Sequence, residues 1–235
     1  MLIAHSCALP AVAWTWVPIL GQKFSTVRER LRDLYREGVA KAGAQRPPLD
    51  LGTCWAPWLS WIVKAWRSQQ RALTLDATTL GNRFVVLAVS VRYRGSAGPV
   101  AWKFSRAAEK HAWPPEWQEL LSPLHRVVAA DGKVIGLADR GLDAQWLFEG
   151  IVAVGWHPLL RINTQGKFRP QGWHRWLPLK GLVRRGGQRW QGRGMAFKNE
   201  PGRLECTVLG CWEEGPEEPW LGVTDLVPEA ADICW

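Results

Sequence analysis

The residues best placed to do chemistry are two aspartates, Asp76 in LTLDATTL and Asp139 in VIGLADRGL, each following an apolar run that reads as a β-strand end. Burying a carboxylate among such residues is costly unless a cation pairs with it. Two carboxylates on neighbouring strands repel each other at neutral pH, and a divalent ion removes that repulsion. Mg²⁺ takes carboxylate oxygens and keeps waters for exchange. Two such ions activate a nucleophile and stabilise the leaving oxygen of a phosphoryl transfer. The plainer reading of Asp139 is an N-cap in a strand-to-helix turn. The five His (His5, His111, His125, His157, His174) show no ligand spacing, and Ser96 and Ser122 lie in no nucleophile elbow. RRGGQRWQGRG lacks the strand context of a phosphate-binding loop. Cys206 and Cys211 have no second pair or His nearby, so the five scattered Cys read as reduced core thiols of a cytoplasmic protein.

Charge is the second signal. The chain of 235 residues carries +9, and the excess is concentrated. Residues 161–203 hold eleven Lys and Arg against Glu200 alone, whereas residues 204–235 hold eight acids and no Lys or Arg. Lys167, Arg169, Arg184, Arg185, Arg189 and Arg193 are interleaved with Trp173, Trp176 and Trp190. Cations neutralise phosphates by counterion release, and aromatic rings offer faces to unstacked bases, so this segment predicts a nucleic-acid partner. The competing reading is a solvated basic face that balances the acidic tail.

The elements that must position these residues follow from periodicity. Residues 22–43 read as an amphipathic helix with Val27, Leu31, Leu34 and Val39 on its stripe and Ser25 or Thr26 as cap. Residues 55–68 read as a second helix whose Trp58, Trp61, Ile62 and Trp66 are core. ALTLDATTL is a short strand, and residues 84–104 form a hairpin through GSAG. PPEWQELLSPL starts a helix with Trp117, Leu120, Leu121 and Leu124 on one side, and Pro123 leaves its end open. KVIGLADRGL, LDAQWLFEGIVAVG and HPLLRIN continue as strand, helix and strand. The order β-β-β-α-β-α-β predicts an α/β domain with a mixed sheet. Residues 164–203 read as inserted short strands and turns, LECTVLGCW and EPWLGVTDL as two strands, and PEAADICW as the start of a helix. A composition 47% apolar and 22% charged excludes a disordered chain. No apolar run is long enough to cross a membrane. The first twenty residues are apolar, but two Pro interrupt them and no basic n-region precedes them, so secretion is not expected.

DATTLGNRFVVLAVSVRYRGSAGPVAWKF and VIGLADRGLDAQWLFEGIVAVGWHPLLRIN resemble the DDE transposases of bacterial insertion sequences, family four being the nearest group. The resemblance spans roughly residues 70–235. It implies a ribonuclease-H-like mixed sheet with a β-rich insertion that touches transposon-end DNA. It implies that Asp76, on the first strand, and Asp139, after the fourth, are two of three carboxylates binding Mg²⁺ or Mn²⁺. The domains expected are an N-terminal helical region at 1–69, the first part of the core at 70–160, the basic insertion at 161–220 and a return to the core at 221–235. The third acid of the resemblance belongs to a helix with the signature Tyr-x2-Arg-x3-Glu-x6-Lys. That signature is absent: three residues beyond Tyr35 and Tyr93 stand Gly38 and Ser96. Asp225, Glu229 and Asp232 are nearby acids, but nothing gives them the third role. The expectation is a C-terminally truncated transposase with weakly held metal and little strand cleavage, acting in the cytoplasm at the nucleoid on transposon ends and target DNA, with a homodimer implied. The alternative is a non-catalytic DNA-binding remnant that competes for transposon ends.

Overall fold

A computed structural model describes residues 8–34, 36–41, 50–64, 70–93, 95–108, 113–128, 132–199 and 202–231. The chain divides into two compact units, Met1–Thr53 and Cys54–Trp235.

In the larger unit, β-branched and apolar runs become strands. β1 (Gln70–Leu80), β2 (Phe84–Tyr93) and β3 (Ser96–Arg106) form an antiparallel meander. Its turns use Gly81 at φ +57° and Gly95 at φ +81°, a left-handed backbone that glycine adopts without a Cβ clash. Helix α4 (Trp113–Val128) leads to β4 (Lys133–Ala138), and α5 (Gln145–Ala153) leads to β5 (His157–Arg161). β1, β4 and β5 are mutually parallel. Both crossovers therefore carry a helix, as parallel pairs require. The chain then builds β6 (Lys167–Pro170), β7 (Leu177–Pro178), β8 (Arg189–Ala196), β9 (Leu204–Cys211), β10 (Trp220–Thr224) and the short helix α6 (Pro228–Ala231). Among the described residues, all strands join one ten-stranded mixed sheet in the order β3-β2-β1-β4-β5-β10-β9-β8-β6-β7. The basic segment thus extends the first sheet through the antiparallel β5–β10 pair.

The core lies mainly on one face. In α4, Trp117, Leu120, Leu121, Leu124 and Val128 are buried at helical spacing, and they pack in one cluster with Leu73, Leu75, Leu87 and Val89 from the sheet. Pro123 leaves the end of this helix open in the sequence, and the helix runs past it to Val128: burial of Leu124 and Val128 on the same stripe outweighs one missing backbone bond. Close approach of α5 to the sheet is set by Gly136, where a Cβ would lie 3.1 Å from Ile151 Cγ2. Replacing Trp117 by Ala is expected to cost about 3–5 kcal/mol. Trp117→Phe should cost much less, because the buried indole N–H has no partner among the described residues. Urea unfolding of the two variants checks this.

Several sequence expectations are corrected. Helix α3 is Gly52–Lys64, and it buries Trp55 and Leu59. Trp58 and Trp61 are not core: they are 41% and 66% exposed and stack on each other with centroids 5.3 Å apart. Trp58 also donates through Nε1 to the Pro99 carbonyl at 3.1 Å. Trp66 lies outside the described residues. In the smaller unit, residues read in the sequence only against a signal-peptide pattern form helix α1 (Leu9–Leu20). Pro10 sits in the first turn, where no N–H is needed, and Trp14 stacks on Phe24 at 4.5 Å. Helix α2 is Phe24–Leu34 rather than 22–43, so Ser25 and Thr26 lie inside it and cap nothing. Leu34 is half exposed and Val39 fully exposed, which leaves Val27 as the buried position of α2. Among the described residues no helix is long and apolar enough to cross a membrane. Cys206 and Cys211 stand an odd number of residues apart on β9 and so face opposite sides of it. Burial pushes the Cys206 thiol up to about 12, so it stays protonated and inert.

Candidate functional site

The β1–β4 ladder ends at the pair Leu75 and Ala138. Asp76, still within β1, and Asp139, directly after β4, are the next residues along each chain segment. Adjacent strands lie about 4.8 Å apart, so the two backbones hold the carboxylates side by side. β5 adds a third member: Ala138 pairs with Leu160, which places Arg161 next to Asp139. Leu75, Ala138 and Leu160 all belong to the main core cluster. Their successors therefore point to the opposite face of the sheet. Asp76 is not at a strand end, as its sequence context suggested. It lies inside an eleven-residue strand, because β1 continues against β2 to Leu80 after β4 has stopped.

On that face the residues line one cleft of about 600 Å³, formed by Asp76, Arg92, Asp139, Leu159, Arg161 and Trp220 among others. Both carboxylates are exposed. The Asp139 carboxylate has two donors on one oxygen: Arg140 N at 2.8 Å and Arg161 Nη1 at 3.2 Å, both to Oδ1. Asp139 thus does cap the short 3₁₀ turn Arg140–Leu142, as its plainer reading held, while it also faces the cleft. Arg161 and Trp220 are shared with an adjoining cavity of about 350 Å³, whose lining includes Arg189, Glu213 and Glu218. Arg140 pairs with Glu218 at 3.0 Å. An acidic loop and a row of guanidinium groups therefore meet beside the aspartates.

The later acids do not come to the pair. The Asp225 carboxylate is bound by His157 Nδ1 at 2.9 Å, at the start of β5 and not at its Arg161 end. Helix α6, which carries Glu229, lies by the start of β4: Lys133 Nζ donates to Ala230 O at 3.4 Å. Asp139 is six residues further along that strand, roughly 20 Å away at about 3.3 Å per residue. Asp232 lies outside the described residues. Two exposed carboxylates on adjacent strands fit a hard divalent cation that keeps several waters. Among the described residues no group of three or more His, Cys, Asp or Glu converges, so water would complete the shell.

The basic segment splits into exposed cations and cations engaged in the fold. Lys167, Arg184 and Arg185 are exposed, with Arg184 Nε donating to the Gly181 carbonyl at 3.2 Å, and Arg189 is exposed on the adjoining cavity. Arg184 and Arg185 are held from below, since both backbone N–H groups donate to Gln188 Oε1, at 2.9 and 3.3 Å. Arg169 lies over the Trp176 ring at 5.2 Å. Arg193 is engaged in the fold: it donates to the Asp225 carbonyl at 2.8 Å and reaches Glu205 at 3.5 Å. Trp173 is exposed, whereas Trp190 packs edge-on against buried Phe168 with centroids 5.5 Å apart. Sequence reasoning weighted all six cations alike, and it missed Arg92, Arg161 and Trp220 because only strand register brings them to Asp76 and Asp139.

No family model matches the chain, and no curated protein matches it. Among solved structures, human endonuclease V is similar at 13% identity with a TM-score of 0.38, covering 78% of this chain and 87% of that one. Its catalytic domain gives 13% and 0.39, over 79% and 86%. The Mos1 strand transfer complex gives 13% and 0.25, over 67% of this chain and 55% of that one. Likenesses this loose carry no argument about function, which rests on the cleft and the charge.

Proposed function

We propose that this chain is a DNA-processing protein of the DDE transposase type, with a ribonuclease-H-like core at 70–160 and a basic β-rich insertion at 161–220 that binds DNA. The observation that carries the reading is the juxtaposition of Asp76 and Asp139 on one open face, at the end of the parallel β1–β4 ladder. The sequence resemblance assigns carboxylates to these two strands, and register makes them neighbours.

Asp76 and Asp139 would hold Mg²⁺ or Mn²⁺. Such an ion, when bound, favours ionisation of a coordinated water and neutralises phosphate oxygens. The chain's own residues do the rest. Arg92 and Arg161 bring positive charge to the cleft, where a phosphodiester would lie. Lys167, Arg184, Arg185 and Arg189 supply the sequence-independent attraction to the duplex. With two carboxylates the ion is held weakly, and strand cleavage is slow.

The test measures Mn²⁺ binding by electron paramagnetic resonance and nicking of supercoiled DNA in Mn²⁺. The expected result is weak Mn²⁺ binding that is lost in Asp76→Asn and in Asp139→Asn, with nicking at or near background. Mn²⁺ binding unchanged in both variants would overturn the assignment of the pair. A second reading has a specific observation behind it: Asp139 is already engaged as a cap and as the partner of Arg161. On that reading the protein binds DNA without catalysis and competes for transposon ends. It predicts DNA binding identical in the presence and absence of Mn²⁺.

A further inference from the structure

We infer that Arg161 is a resident counter-charge that holds down the metal affinity of Asp139 until a DNA phosphate neutralises it. The inference rests on the reading of Asp76 and Asp139 as a metal pair. Arg161 Nη1 lies 3.2 Å from Asp139 Oδ1. Arg140 N binds the same oxygen, and no donor to Oδ2 is found among the described residues. The second oxygen is thus available to a cation, but only one placed a few ångströms from a guanidinium. Repulsion between a doubly charged ion and that guanidinium scales with both charges. The steering that Arg161 gives the carboxylate is small by comparison, because ion pairs between exposed groups contribute little. The Asp139 side chain is 74% exposed. Repulsion therefore wins, and the pair lowers metal affinity.

Arg161 is also positioned to be drawn off. It stands where the aspartate cleft meets the adjoining cavity, and it lines both. Its Nε is buried without a hydrogen-bond partner among the described residues, so the side chain has unmet donor capacity. A phosphate entering the cleft offers the guanidinium a bidentate acceptor stronger than one shared carboxylate oxygen. Moving it there takes positive charge away from Asp139 and strengthens metal binding. Linkage makes the effect reciprocal: metal binding strengthens the hold on DNA. Arg161 is thus a positioning residue that couples the two ligands.

The experiment titrates Mn²⁺ by electron paramagnetic resonance into the full chain, Arg161→Gln and Arg161→Lys, with and without a 20-base-pair duplex. The duplex's own Mn²⁺ uptake is read from Asp139→Asn and subtracted. Without DNA, Arg161→Gln is expected to bind Mn²⁺ about three- to tenfold more tightly than the natural chain, and Arg161→Lys about equally. With DNA, the natural chain gains a similar factor and Arg161→Gln gains less than about twofold. Equal or weaker Mn²⁺ binding by Arg161→Gln, with binding still lost in Asp139→Asn, overturns the counter-charge and leaves the metal pair standing. No carboxylate-dependent Mn²⁺ binding in any variant overturns both. If Arg161→Gln fails to fold, the DNA-induced gain in the natural chain still decides, because its absence contradicts the coupling.

Discussion

Exchanging Arg184, Arg185 and Arg189 together for Ala is expected to weaken duplex DNA binding by about a thousandfold at 0.05 M salt and about twenty-five-fold at 0.2 M. Each cation that neutralises one phosphate contributes about 0.9 to the slope of log affinity against log salt, so three contribute about 2.7. The loss therefore shrinks as salt rises, and that shrinkage separates an electrostatic role from general damage. The three side chains are exposed, and the turn that carries Arg184 and Arg185 is fixed mainly through Gln188, with one exposed bond from Arg184 Nε to the Gly181 carbonyl at 3.2 Å. Removing them should leave the melting temperature nearly unchanged. Arg193→Ala is the informative contrast. Its guanidinium bridges β8 to the Asp225 carbonyl and Glu205, so its loss should lower stability while the salt slope falls by no more than about one. Fluorescence anisotropy of a labelled duplex at several salt concentrations reads both effects. An unchanged slope in the triple variant would remove the basic segment from the DNA interface.

Much of this architecture is legible in the residues, and the failures have physical causes. β2 and β3 are found because FVVLAVSVRYR and PVAWKF flank a glycine turn, and α4 because its apolar residues repeat at helical spacing. These are local signals. Asp76 and Asp139 are found as a pair of acids after apolar runs, but their adjacency depends on which strands pair. Arg161 belongs to HPLLRIN, which shows nothing beyond a strand, and it joins the site because β5 pairs with β4 in one particular register. Trp220 comes from further still, through the antiparallel β5–β10 pair. Helix faces fail for a related reason. In α3 the spacing of Trp58 and Trp61 is as helical as that of Trp55 and Leu59, and periodicity alone cannot say which stripe meets the sheet. In α4 propensity leaves the end open at Pro123, and tertiary burial carries the helix beyond it. The basic segment is legible as charge and illegible as contacts: Arg193 and Arg189 look alike in sequence, yet one ties strands together and the other lines a cavity.

The strand that presents Lys167 and Arg169 depends on one glycine, and Gly194→Val is expected to detach it. Gly194 lies in β8 between Pro170 of β6 and Cys206 of β9. A Cβ there would fall 2.2 Å from the Arg169 carbonyl oxygen and 2.8 Å from Phe168 Cζ. The first contact is with backbone, which no rotamer change relieves. The clash can be resolved only by moving β6 away from β8, and that breaks the ladder from Phe168 to Pro170. Phe168 is fully buried and packs on Trp190, so detachment also opens the outer core. Overpacking of a core site costs about 1–3 kcal/mol, and the broken ladder adds to it, so a loss of more than about 3 kcal/mol is expected. Gly141→Ala is the control, since a Cβ at Gly141 meets nothing within 4 Å, and it should change stability by less than about 0.5 kcal/mol. Urea unfolding followed by tryptophan fluorescence compares the two. The same variant separates the halves of the functional proposal. Asp76 sits on β1 and Asp139 directly follows β4, with four strands or more between them and β6 in the sheet order. Loss of β6 should therefore weaken DNA binding while Mn²⁺ binding by the aspartates persists. Loss of both together would mean that the ten strands unfold as one unit and that the basic extension is needed for the cleft itself.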